Sequence, residues 1–67
     1  MNSFTISVHA RKQAQKRFKW RESSLIKEIE KAISHGQRLT ADDGIYYDHN
    51  GIRFIFRENK LITVFRN

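Results

Sequence analysis

The C-terminal third of the chain alternates apolar and polar residues with the period of a β-strand. Three such runs occupy positions 45–49, 52–57 and 61–66, and side chains spaced in this way lie alternately on the two faces of a sheet. Asn50-Gly51 separates the first two runs, and Glu58-Asn59 separates the last two. Asn-Gly favours a two-residue type I′ turn, in which both central residues need positive φ. The pattern therefore predicts an antiparallel three-stranded meander.

Two-residue turns at both places predict one almost wholly apolar face for this meander, because residues opposite each other share a face. The predicted pairs are Ile45–Phe56, Tyr47–Phe54, Phe56–Leu61 and Ile52–Phe65. The other face is predicted to be mixed and basic. It carries Tyr46, Asp48, Arg53, Ile55, Arg57, Lys60, Ile62, Val64 and Arg66. A slip of one residue in either turn would exchange some of these assignments.

The start of the chain shows a strand pattern that changes to a helical one. Residues 4–8 alternate, which predicts a half-buried strand with Phe4, Ile6 and Val8 inward. From Ala10 the apolar residues recur every fourth position, which predicts a short helix that ends near Trp20. Basic residues surround this apolar stripe, namely Arg11, Lys12, Lys16, Arg17 and Lys19.

A second helix is predicted from a broader apolar face, formed by Leu25, Ile26, Ile29, Ala32 and Ile33. Ser23-Ser24 offers a serine N-cap, and Gly36 stands where a left-handed residue would end the helix. The polar run 37–43 is predicted to be a loop. The order strand, helix, helix and three strands predicts one α+β domain over residues 1–67. We expect a two-layer sandwich with both helices on one face of a small antiparallel or mixed sheet.

Composition narrows the class of protein. The 67 residues suffice for one domain, and 13 Lys and Arg against 7 Asp and Glu give a net charge of +6. This charge is typical of a nucleic-acid binder, with an acidic protein or an anionic lipid as alternatives. The absence of cysteine excludes disulfides and thiolate metal sites, and the three histidines lack metal-site spacing, so we expect no cofactor. No apolar run approaches the ~20 residues that span a bilayer, so we expect a cytoplasmic protein.

The predicted basic face is suited to a polyanion. Arginine offers planar paired donors to phosphate, and an aromatic ring can stack on a base. The candidate nucleic-acid-binding residues are Tyr46, Arg53, Arg57 and Arg66 on this face, with Lys12 and Lys16 on the first helix. The alternative is a solvated face on which Asp48 and Arg53 form a cross-strand ion pair. The exposed Ile55, Ile62 and Val64 favour a partner, including a second copy of the chain.

His9 is a candidate for catalysis. It precedes Gln13 by one helical turn and Arg17 by two, so the three share one stripe if the helix begins by His9. Metal-independent RNA cleavage needs a base, an acid and cationic donors; histidine transfers protons near neutral pH, and arginine stabilises the developing charge. The candidate catalytic set is His9, Arg17 and Arg53. A capping or surface histidine is the alternative interpretation.

Several short motifs together resemble a known family. They are Ser7-Val8-His9-Ala10, Arg17, Ala32-Ile33-Ser34-His35-Gly36, Gly51-Ile52-Arg53-Phe54 and Leu61-Ile62-Thr63-Val64-Phe65. The chain resembles the small RelE/ParE-like and BrnT-like proteins, in particular an uncharacterised branch marked by S-x-H-A-x-x-R-x-x-x-R near the start and I-T-V-[YF] at the end. His9 and Arg17 match this pattern. Gln13 stands where its first arginine is usual, and Phe65 stands where tyrosine is common.

The resemblance implies an α+β fold related to the ribonuclease toxins of toxin–antitoxin systems and mobile elements. It implies RNA cleavage or inhibition of translation, with RNA or the ribosome as target and an acidic antitoxin as partner. Because Gln13 and Phe65 remove groups that act on phosphate or on a proton, a second function stays open. This alternative is a non-catalytic phage or mobile-element module that binds nucleic acid or an acidic host protein.

Overall fold

Residues 4–67, which the computed structural model describes, form two helices and one five-stranded mixed sheet. The elements are β1 Thr5–Ile6, α1 Val8–Phe18, α2 Glu22–His35, β2 Gln37–Ala41, β3 Gly44–His49, β4 Ile52–Arg57 and β5 Lys60–Arg66. The strand order is β1-β5-β4-β3-β2, with β1 parallel to β5 and every other pair antiparallel. The predicted α+β sandwich is confirmed, and the structure adds a strand to it.

Helix α1 begins earlier than its apolar stripe indicates. Ser7 has extended backbone angles, φ −70° and ψ 157°, and its Oγ accepts a hydrogen bond from the Ala10 N–H at 3.0 Å. This N-cap ends β1 after Ile6. Val8, which the alternation placed inward, lies in the helix and is 64% exposed. At the other end, Lys19 adopts φ 60° and its N–H bonds back to carbonyls of the last turn.

Helix α2 begins at Glu22 without a side-chain cap. Arg21 takes the N-cap position with extended angles, so the predicted cap at Ser23-Ser24 is wrong, and both serines lie inside the helix. Glu22 suits the first turn because a carboxylate there faces the positive end of the helix dipole. Its Oε1 also lies 2.6 Å from Nε of Arg11 in α1. Glu22 thus stabilises the start of α2 through the helix dipole, and it forms an ion pair with α1.

Gly36 ends α2 for a reason other than the predicted one. Its φ of −79° and ψ of 173° are extended, so a left-handed conformation is not what requires glycine. A Cβ at this position would lie 2.5 Å from the Ala32 carbonyl oxygen and 2.6 Å from that of Asp48. Glycine is therefore needed because the backbone of α2 and that of β3 both approach it closely.

The run predicted as a loop after Gly36 contains a strand, so that prediction is wrong. In β2, Gln37 lies opposite Asp48 and Ala41 opposite Gly44, with Asp42-Asp43 as the two-residue turn. All five residues of β2 are exposed. The strand is held by backbone pairing with β3 and has no apolar alternation to reveal it in the sequence.

Both predicted turns of the meander are confirmed. Asn50 and Gly51 have φ of 53° and 75°, and Glu58 and Asn59 have φ of 53° and 63°. The predicted pairs Ile45–Phe56, Tyr47–Phe54 and Phe56–Leu61 are confirmed as well. The register is therefore correct up to the start of β5.

A β-bulge changes the register within the pair β4–β5. The irregularity lies between Ile55 and Phe56 on β4, and it leaves Ile62 as the extra residue on β5. Beyond it, Phe54 pairs with Val64 and Ile52 pairs with Arg66, so the predicted pair Ile52–Phe65 is wrong.

The bulge exchanges the faces of the four side chains that follow it, Thr63 to Arg66. Val64 is fully buried in the core, whereas Phe65 lies opposite Arg53 on the other face. Arg66 turns to the helix side, where its Cζ lies 5.4 Å from the ring centroid of Phe18. The predicted placement of Val64 and Arg66 on the basic face, and of Phe65 in the core, is therefore wrong.

Both helices cover one face of the sheet and form the core there. The buried residues are Ala10 and Ala14 of α1, Leu25, Ile29 and Ala32 of α2, Ile52, Phe54 and Phe56 of β4, and Leu61 and Val64 of β5. The alanines let α1 approach the sheet closely, and the Trp20 ring lies between Phe18 and Phe54, with centroids 4.5 and 6.3 Å away. Within residues 4–67 neither helix has the length and apolarity to cross a membrane.

Candidate nucleic-acid interface

The face of the sheet opposite the helices, here called the open face, brings together side chains from four strands. Its members are Gln37, Leu39 and Ala41 of β2, Tyr46 and Asp48 of β3, Arg53, Ile55 and Arg57 of β4, and Lys60, Thr63 and Phe65 of β5. None of them belongs to the buried core or to the residues packed on it. The open face is therefore the part of the sheet that a partner can reach.

The register arranges these side chains in three rows across the strands. One row holds Gln37, Asp48, Arg53 and Phe65, and the next holds Leu39, Tyr46, Ile55 and Thr63. The third row is cationic and consists of Arg57 and Lys60. The middle row is thus mostly apolar. On one side of it lies the row with the Asp48–Arg53 ion pair and Phe65, and on the other side lies the cationic row.

Arg53 is held in place by two neighbours on β3. Its Nε donates to Oδ1 of Asp48 at 2.7 Å and its Nη2 donates to Oδ2 at 2.8 Å, which makes a bidentate pair. Its Cζ also lies 5.3 Å from the centroid of the Tyr46 ring. The hydrogen bond from Arg53 lowers the pKa of Asp48, and the carboxylate in turn raises the pKa of Arg53. The cross-strand ion pair foreseen as an alternative is therefore present.

Tyr46 is fixed at its hydroxyl. The hydroxyl lies 3.2 Å from both carboxylate oxygens of Asp43, to which it donates. This hydrogen bond is the main reason why the pKa of Tyr46 is raised, and the nearby Arg53 and Arg57 oppose the shift. The Tyr46 hydroxyl therefore stays protonated at neutral pH. Arg57 joins the same cluster, because its Nε donates to the Asp43 carbonyl at 3.0 Å.

The catalytic candidates are distributed between α1 and the open face. His9 lies exposed in the first turn of α1 and Arg17 lies exposed near its end, about 12 Å further along the axis at the usual helical rise. Arg53 lies on the sheet face that α1 does not cover. Among residues 4–67, no hydrogen bond or ion pair joins Arg53 to either of them; its partner is Asp48.

The other predicted binding residues lie in three places. Tyr46 and Arg57 lie on the open face beside Arg53, whereas Lys12 and Lys16 lie exposed on α1. Arg66 lies on the helix side, over Phe18. No cluster of histidine and acidic side chains able to hold a metal ion occurs in the described part of the chain.

Gln13 has a structural role that the sequence did not reveal. Its Oε1 accepts the Val64 N–H at 3.2 Å and also accepts the hydroxyl of Thr63. Both groups lie on β5 beyond the two residues that β1 covers. The side chain thus continues the hydrogen bonding of the sheet where β1 has ended. An arginine has no acceptor atom and would leave this backbone N–H unpaired.

Sequence reasoning missed the open-face residues of β2, among them Leu39, and it missed Thr63 and Phe65 of β5. The alternation predicts Phe65 in the core and leaves Thr63 off the basic face, because the bulge has no signal in the pattern; the polar run around Leu39 predicts a loop. A known consequence of β-bulges is a side chain turned to the other face, but only the backbone shows where one occurs.

Comparison with protein-family models, with curated proteins and with solved structures found no significant match to this chain. The resemblance to RelE/ParE-like and BrnT-like proteins therefore remains a prediction from the motifs.

Proposed function

We propose that this protein binds single-stranded RNA on the open face without cleaving it. The observation that carries the proposal is the position of Arg53, which is fixed by Asp48 and Tyr46 and lies directly opposite Phe65 on an uncovered sheet face. Single-stranded RNA exposes bases that stack on aromatic rings and on guanidinium planes.

The first contribution to RNA binding is the stacking of bases on side chains of the open face. Phe65 and Tyr46 belong to neighbouring rows, and Arg53 lies between them across the strands. Each base stacked on such a side chain contributes about 1–3 kcal/mol without strong sequence preference. A sheet face of this kind suits splayed bases better than a duplex, whose bases are already stacked on one another.

The second contribution is the attraction between phosphates and the positive charges of the open face. Arg57 and Lys60 form the cationic row beside the apolar one, within a protein of net charge +6. Phosphates that leave the stacked bases in this direction meet both side chains. Lys12 and Lys16 on α1 add to the positive potential of the whole molecule, which speeds encounter with a polyanion.

Cleavage is left out of the proposal for a structural reason. The endoribonuclease hypothesis needs His9, Arg17 and Arg53 at one phosphate, yet Arg53 commits two of its nitrogens to Asp48 on the face away from α1. The proposal retains RNA as the target, as the toxin resemblance implies. Binding to a message or to the ribosome in the cytoplasm would inhibit translation without hydrolysis of RNA.

Titration of fluorescent oligouridylate with the protein tests the proposal. We expect Phe65→Ala to weaken binding by about 5- to 100-fold, the loss of one stacked base. Arg57→Gln should weaken binding and make the log–log salt slope less steep by about 0.7, the value for one phosphate on a single strand. Arg38→Gln is the matched control, since Arg38 is an exposed strand arginine whose register partner is Tyr47 on the helix side.

Two results would contradict the proposal. One is the absence of RNA binding by the unchanged protein at low salt, and the other is an equal effect of Arg38→Gln and Arg57→Gln. Incubation with RNA in EDTA examines the non-catalytic part, for which we expect intact RNA. Cleavage that disappears in His9→Ala would restore the nuclease hypothesis.

A further inference from the structure

The two edges of the sheet end in different ways. At one edge, β1 pairs with Lys60 and Leu61 only, and Gln13 then accepts the next outward N–H of β5, that of Val64. The bulge at Ile62 adds an irregularity to the same strand. Short strands, bulges and covering elements are devices that prevent an edge from pairing with another chain. This edge is therefore closed.

The other edge, formed by β2, has none of these devices. The strand pairs with β3 on one side in an unbroken register, and all five of its residues are exposed. The segment Gln37–Ala41 contains no proline, and Arg38 is its one charged residue. Its outer side thus presents a regular row of backbone donors and acceptors to which a further strand can bind.

The turn between β2 and β3 shows which groups point outward. In a two-residue hairpin the closing pair exchanges both backbone hydrogen bonds, and the closing pair here is Ala41–Gly44. Leu39–Tyr46, two residues further, is then a hydrogen-bonded pair as well. Arg38 and Thr40 consequently direct their N–H and C=O groups away from β3.

We infer that β2 pairs with β2 of a second copy of this chain, antiparallel, about a two-fold axis at Leu39. In this register Arg38 of each copy exchanges backbone hydrogen bonds with Thr40 of the other. Leu39 faces its own copy in a non-hydrogen-bonded pair, in which side chains lie close together. Leu39 is 38% exposed, and the pairing removes this apolar side chain from water.

Charge selects this register over a neighbouring one. An axis at Arg38 would place two arginines directly opposite each other, which is destabilising. The axis at Leu39 instead places each Arg38 opposite Thr40, with Asp42 and Arg38 of the other copy on its two diagonals, so that no two like charges lie directly opposite each other. The edge is therefore complementary to itself, which a symmetric dimer requires. Because Leu39 belongs to the open face, the two open faces join into one surface.

Sedimentation velocity over a range of protein concentrations, without RNA, tests the inference. We expect a monomer–dimer equilibrium for the unchanged chain and loss of the dimer in Leu39→Lys, since two lysines would meet at the axis. Val8→Lys is the control, because Val8 is the other exposed large hydrophobic side chain in residues 4–67 and lies on α1. Circular dichroism of each variant verifies that the fold is kept.

Cross-linking gives a second measurement that does not depend on destabilising the dimer. The chain has no cysteine, so Leu39→Cys introduces a single thiol. Opposite residues of a non-hydrogen-bonded pair have Cα atoms about 4.5 Å apart, within the range of a disulfide. We expect mild oxidation to give covalent dimers of Leu39→Cys at concentrations where Val8→Cys remains monomeric.

A monomer at every concentration would overturn the inference, as would a dimer that persists in Leu39→Lys or equal cross-linking of the two cysteine variants. These outcomes are separate from the proposed function. A chain that binds RNA but stays monomeric would support the open-face proposal and contradict the dimer. A dimer that does not bind RNA would support the edge pairing and contradict the open-face proposal.

Discussion

The two faces of the sheet are built from the same strands and differ in almost every physical respect. On β4, Phe54 is buried against both helices, while the adjacent Arg53 lies on the open face in an ion pair. The face covered by the helices has only apolar side chains in its buried core, and the open face combines aromatic rings with charge. Adjacent residues of one strand therefore lie in different surroundings: Phe54 stabilises the core, and Arg53 lies on the face that we propose binds RNA.

The strongest test of this comparison exchanges a phenylalanine on each face for alanine. Phe54→Ala should lower the free energy of unfolding by about 3–5 kcal/mol, because it opens a cavity in a packed core. Phe65→Ala should cost less than a third of that, since Phe65 lies outside the core. Urea unfolding measures both. Equal losses would show that the open face is part of the core.

An intermediate effect is expected at the hydrogen bond that closes the edge of β5. Gln13→Ala leaves the Val64 N–H without its partner, which should cost about 1–3 kcal/mol. Gln15→Ala is a matched control, the same change on an exposed position of the same helix. Thermal or urea unfolding of the two variants compares them. Equal stability would mean that water replaces the Gln13 side chain at no cost.

The smallest effect concerns the ion pair of the open face and depends on pH. Because Arg53 lowers the pKa of Asp48 in the folded protein, the stability that Asp48 contributes is present above the carboxyl's unfolded pKa. It is lost as the pH falls through the lowered, folded pKa. We expect acid to reduce the free energy of unfolding more in the unchanged protein than in Asp48→Asn. The difference is small because the pair is partly exposed to water. Identical acid dependence in both proteins would contradict it.

Periodicity predicted the elements that carry a clear apolar pattern. The meander, its Asn50-Gly51 turn and α2 follow from alternation and from helical spacing, and the Asp48–Arg53 pair follows from the register of that turn. Strand β2 has no such pattern, because neither of its sides is buried. Its existence depends on pairing with β3, which a local pattern does not contain.

The open face was only partly predictable. Arg53, Arg57 and Tyr46 were placed correctly because they precede the bulge or lie on strands that it does not affect. Val64 and Phe65 are both apolar, so either one fits a core and composition does not decide between them. The bulge turns Arg66 to the helix side, where its long apolar stem and guanidinium cover the Phe18 ring while the residue remains exposed.

Ile62, the extra residue of the bulge, shifts the pairing of β5 with β4 by one residue. Every side chain after it changes face, although no residue has been exchanged for another. With regular pairing, the same sequence would place Phe65 in the core and Val64 on the open face. The aromatic character of the open face therefore depends on how β5 pairs with β4, as well as on which residues β5 contains.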